Sequence, residues 1–197
     1  MYDYRKMTSE ERQCVLRERS TRGFPLHSPP HFHGMSGTYL ITAACYEHRP
    51  IFEGLEDLSY LTDEMLNALM AAAIQPQAWV FLPTHYHFLA HAEDIGIVSE
   101  TLRLTHSRIA TRINGRQQAR GRKVWYRFSD RMIRDDRHYL ATINYIHYNP
   151  VKHGYVDDSG MWAWSRIHNY VEVQGDQWLA HTWKEYPIQD YGRGWDW

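Results

Sequence analysis

"QAWVFLPTHYHFLAH", residues 77 to 91, carries the first clue to the fold. Two apolar runs rich in β-branched and aromatic residues flank Pro83-Thr84. They read as two strands, 77–83 and 85–91, with a turn or edge between them. Strand side chains alternate faces, so His85 and His87 project from one face and Tyr86 and Phe88 from the other. Two neutral imidazoles side by side make a poor core but half of a metal site.

Working outward, the same alphabet recurs. Residues 37–46, GTYLITAACY, read as a strand, and residues 55–74 carry leucines and methionines at helical spacing. Residues 96–114 form an amphipathic helix that Asn114-Gly115 should end. Residues 124–133, VWYRFSDRMI, read as a fourth strand. Residues 135–149 read as a helix that should stop at Asn149, because Pro150 follows. The order is strand, helix, strand, strand, helix, strand, then an extra helix. That predicts an α+β fold: a ferredoxin-like antiparallel sheet with helices on one face, its other face free for a site. Three parts follow: an N-terminal helix (8–19, with Thr8 and Glu11 as a capping box) and Pro-rich arm over 1–36, a core domain over 37–170, and an aromatic tail over 171–197.

The chain has 197 residues and a formal net charge of -1. No apolar run approaches the ~20 residues a membrane helix needs. The opening MYDYRKMTSEERQ is polar and reads as no secretory signal. Cys14 and Cys45 have no metal or redox spacing and read as free thiols of a reducing cytosol. The near-neutral average conceals a basic block. From Thr101 to Arg134 there are ten lysines and arginines against one acid, Asp130. Such a block suits a phosphate backbone, and Arg116, Arg120, Arg122, Lys123 and Arg127 are the candidate DNA contacts. Trp125 and Tyr126, beside them, suit either stacking on unpaired bases or core packing.

The extra helix contains "INYIHYNPVKHGYV", residues 143 to 156. Tyr145 and Asn149, four apart, share one helical face. A tyrosine, an amide and an HxH strand make a metal-assisted nucleophile set. Tyr139, six residues from Tyr145, lies on roughly the opposite side. Tyr148 lies on a nearby face, and the pattern alone leaves it open as nucleophile. Asn149 also suits a helix end. A rival HxH, His31-Phe32-His33, lies among prolines and reads as an arm feature. His91 shares the face of His85 and His87.

"PTHYHFLAHA" followed some sixty residues later by "YIHYNPVKHGYV" resembles the REP-associated tyrosine transposases, within the wider HUH single-strand nucleases. The resemblance covers about residues 37 to 170. It implies that His85, His87 and Asn149 hold Mg²⁺ or Mn²⁺. It implies that Tyr145 attacks DNA and becomes linked to the 5′ phosphate of the cleaved strand. The implied substrate is single-stranded DNA carrying palindromic repeat hairpins, and the implied location is the cytoplasm, at the nucleoid. A monomer is favoured over a homodimer. A domesticated hairpin binder with little cleavage is the alternative. The chain departs from the pattern in the middle residue of the histidine motif, Tyr86, which is not aliphatic. The long arm before Gly37 and the tail beyond about Gly175 lie outside the match.

Overall fold

The sheet forms where the alternation predicts it. In the computed structural model, β1 (Gly37–Ala44), β2 (Pro76–Phe81), β3 (His85–Ala92) and β4 (Ser129–Met132) pair in the order β2-β3-β1-β4, every neighbour antiparallel. The structure describes residues 36–189, 191 and 192, together with Thr8, Glu10, Gln13, Cys14 and Arg17. The chain divides into two compact units, Met1–Phe32 and His33–Trp197. In the first, Glu10, Gln13, Cys14 and Arg17 are helical, as the helix read over 8–19 expects at those positions. The rest of that helix and the arm with His31 and His33 lie outside the described residues.

In the second unit, α1 (Leu55–Ala71) and α2 (Ile95–Arg116) connect the strands in the split βαβ manner. α1 buries Leu58, Leu61, Met65 and Leu69, one apolar stripe at spacings of three and four. Asp94 caps α2, its side chain accepting from the Gly96 N–H at 2.8 Å. α2 covers the sheet face onto which Tyr86 points: the Tyr86 hydroxyl meets Nε2 of His106, on α2, at 2.7 Å. The helix α3 (Asp136–Lys152) packs against β2 and β3, and its Tyr145 meets His87 on the opposite face. The sheet therefore has helices on both sides, with the extra helix lying over the histidines.

Three boundaries differ from the sequence reading. α2 continues past Asn114-Gly115 to Arg116; the Asn114 amide is engaged, donating to the Arg122 carbonyl at 2.7 Å. The fourth strand spans only 129–132, because the pairing slips by one residue between Ser129 and Trp125, which bridges Cys45. α3 runs through Pro150 to Lys152. A proline fixes φ near the helical value and removes one N–H, so late in a helix it costs one bond without breaking the chain direction. The helix ends as Tyr155 donates to the Pro150 carbonyl at 2.9 Å.

Beyond α3 the chain returns to the sheet. Phe81 donates to the Trp164 carbonyl and Arg166 to the Trp79 carbonyl, so residues 164–166 cover the β2 edge. Trp162 and Trp164 donate their indole N–H groups to the Phe81 carbonyl and to Ser59. Helices α4 (Ile167–Gln174) and α5 (Asp176–Glu185) follow, hinged at Gly175, whose φ of 82° suits glycine. No helix among the described residues is long and apolar enough to cross a membrane. Cys45 is buried, Cys14 is exposed, and both are free thiols.

Candidate active site

The antiparallel register puts Ala44 opposite His85 and Thr42 opposite His87. The two imidazoles stand 5.0 Å apart between centroids, on one face as the period of two requires. A threonine holds each ring. His87 Nδ1 is 2.7 Å from the Thr42 hydroxyl, and His85 Nδ1 is 2.8 Å from the Thr84 hydroxyl. A ring nitrogen held in this way fixes the ring's orientation and sets the role of the other nitrogen.

Both Nε2 atoms meet α3. His85 Nε2 lies 2.8 Å from Asn149 Oδ1, and His87 Nε2 lies 3.4 Å from the Tyr145 hydroxyl. All four residues are buried. The Asn149 amide nitrogen, also buried, has no hydrogen-bond partner among the described residues. Two Nε2 atoms and an amide oxygen in one pocket, with each imidazole held from behind, suit a divalent cation: nitrogen and oxygen donors, second shell in place. Among the described residues, no three His, Cys, Asp or Glu side chains are arranged to hold a metal, so such a site depends on the amide of Asn149.

The competing tyrosines separate. Tyr139 packs against the core, and Tyr148 faces Trp183. Tyr145 alone of the three has its ring against His87, 5.1 Å between centroids. His91 lies away from the pair, near Ser36 and Glu93.

Several neighbours escaped the sequence reading. Lys152 holds its ammonium 5.0 Å over the Tyr145 ring, and the His153 ring is 4.7 Å from that of His85. Both follow Asn149 within the quoted motif, and helical spacing from Tyr145 was the available signal. Tyr191 packs 5.4 Å from Tyr145, and Gly192 lies so close that an added Cβ would be 2.1 Å from the ring. Tyr145 is 1% exposed beneath them. Nothing in the local pattern of residues 187–192 announces this contact.

The basic candidates divide. Arg116 pairs with Glu56 at 2.7 Å and Asp57 at 3.2 Å. Arg122 donates to Asn114 and Gln117. Arg120, Lys123 and Arg127 are exposed. Trp125 is buried, whereas Tyr126 stands at the surface.

No family model matches the chain. Over 60 residues, 30% of this chain, it is 42% identical to a Haemophilus influenzae protein described as a candidate REP-associated tyrosine transposase. That stretch spans about a third, 34%, of the relative's length. In fold the chain is similar to a REP-associated tyrosine transposase solved bound to a REP hairpin: TM-score 0.58, 23% identity, 75% of this chain and 86% of the other. A candidate transposase from Deinococcus radiodurans R1 aligns with a TM-score of 0.42 and 14% identity over 62% of this chain and 96% of that one. By its own fold and site, the chain is an α+β protein whose ferredoxin-like antiparallel sheet presents paired histidines to a helix that carries Tyr145. Within that class, the chain resembles the REP-associated tyrosine transposases in both sequence and fold.

Proposed function

We propose that this chain is a metal-dependent endonuclease and strand transferase of single-stranded DNA, acting on palindromic repeat hairpins of the REP type. The observation that carries the reading is the meeting of Tyr145 and Asn149, one helical turn apart, with His87 and His85 in one buried site. In this reading the Tyr145 oxygen loses its proton and attacks the scissile phosphorus. An O–P bond forms, the bond to the 3′ oxygen breaks, and that oxygen takes up a proton. The product is a 5′-phosphotyrosine and a free 3′ hydroxyl. The intermediate keeps the energy of the broken phosphodiester, so a strand can be rejoined without a nucleotide cofactor. His85, His87 and Asn149 would hold Mg²⁺ or Mn²⁺, which supplies charge withdrawal at the phosphate. An unperturbed tyrosine titrates near pH ~10, so a positive charge nearby helps it to ionise. Lys152, over the Tyr145 ring, supplies one from the chain itself. Arg120, Lys123 and Arg127 position the DNA backbone without reading its sequence.

A second reading has one observation in its favour. Tyr145 is covered by Tyr191 and Gly192, which suits a hairpin-binding protein that cleaves little. One experiment separates the two. Labelled single-stranded DNA carrying the repeat hairpins near this gene is incubated with the chain and Mn²⁺, then denatured. The transferase reading expects a label at the mass of the protein, lost in Tyr145→Phe and with EDTA. Binding without cleavage or adduct selects the second reading. Cleavage without an adduct means that water, not Tyr145, is the nucleophile.

A further inference from the structure

Trp125 and Tyr126 are adjacent and point opposite ways. Trp125 bridges Cys45 and turns inward, stacked between Phe52 and His106 at 5.4 and 4.4 Å. Tyr126 donates its N–H to the Ala44 carbonyl at 2.9 Å, and 39% of the residue remains exposed. Alternation along an extended segment accounts for the reversal. Outside, its ring meets Tyr46 at 4.9 Å and His48 at 5.8 Å between centroids. Lys123 holds its ammonium 4.4 Å from the Tyr46 ring centre and 5.6 Å from that of Tyr126. The chain bends unusually to build this patch: Glu47 and His48 both have left-handed backbone, φ 58° and 52°. Non-glycine residues rarely hold that conformation unless their surroundings impose it. The acid in the patch, Glu47, is paired with Arg49. Ala44, whose carbonyl receives Tyr126, is the residue paired with His85. The patch therefore begins where the candidate site ends.

The exposed Tyr126 ring, flanked by the half-buried rings of Tyr46 and His48 and by an ammonium held over the two tyrosines, matches an unpaired nucleotide: the base stacks on Tyr126 and the phosphate meets Lys123. A duplex, its bases already stacked, offers no such face. We infer that Tyr126, with Tyr46, His48 and Lys123, is a stacking platform for unpaired bases of the single strand that leads to the candidate active site. This inference rests on the reading of the chain as a single-strand DNA protein.

The test is fluorescence anisotropy on the whole chain with an oligothymidylate of about 15 nucleotides, in EDTA so that no chemistry is required. Tyr126→Ala should weaken binding about 5- to 150-fold, the range expected for one lost stacked base. Tyr126→Phe, which keeps the ring, should bind as the parent does, and Tyr126→Leu, which keeps volume without a ring, should not. Binding to a duplex of equal length should be unchanged in all three. Single-strand binding by Tyr126→Leu within twofold of the parent would overturn the platform. So would equal losses on single strand and duplex. The Tyr145 adduct assay keeps the two readings apart. Adduct formation with ring-independent binding refutes the platform alone. Ring-dependent binding without any adduct upholds the platform and refutes the transferase.

Discussion

Tyr86 sits between the two histidines where the related motif has an aliphatic residue, and its surroundings account for the exchange. It points away from the site, and its hydroxyl is hydrogen-bonded to His106 across the helical face. Burial pushes its phenol well above the usual range, so it stays neutral there. The departure is a packing solution on the far side of the sheet. On the near side, Thr42 does more than its type suggests, since it holds Nδ1 of His87. Thr42→Val keeps the shape and removes that hydrogen bond. On the proposed function, metal affinity, read from the Mn²⁺ dependence of adduct formation, should fall about 10- to 100-fold, and Thr42→Ser should restore it. That His85 with His87, and Tyr145 with Asn149, share a face was legible because each pair follows the period of its own element. Thr42, 45 residues from His87, was not, because its place depends on strand register.

At the scale of elements, α3 matters most, since it carries Tyr145, Asn149 and Lys152 together. Its first turn is secured by Asp135, whose carboxylate accepts from the His138 N–H at 2.7 Å. Asp135→Ala should cost about 1 kcal/mol in urea denaturation, with the midpoint shifted and the slope unchanged. The strands and the first two helices were legible in outline because each has a clear period. The end of α3 was not: the rule that helices stop before proline gives way when only the last turn is affected. α4 and α5 bury little apart from Ile167 and Thr182, so their apolar stripes are too thin to read from sequence.

At the scale of the whole molecule, two buried histidines tie stability to pH. Burial lowers the His147 pKa to about 3 and that of His106 to about 4. Neither nitrogen of His147 has a hydrogen-bond partner among the described residues. Both groups are neutral in the fold, whereas in the unfolded chain they take protons near pH ~6.5. Their contribution to stability is complete above that pH and is lost as pH falls toward their folded values. Each such histidine should cost about 1.4 kcal/mol per pH unit on the acid side. Urea melts from neutral to acid pH should therefore show a shallower loss for His147→Phe than for the parent. Equal slopes would mean that His147 takes up its proton at the same pH in the fold as in the unfolded chain.

Both histidines come from β3 and the tyrosine from α3 of one polypeptide. On the proposed function, a reaction assembled in this way would be first order in protein. Specific activity should stay constant on dilution, and equal parts of His87→Ala and Tyr145→Phe should remain as inactive as either alone. Activity recovered in that mixture would mean that two copies trade their α3 helices, so that each tyrosine works beside its neighbour's histidines.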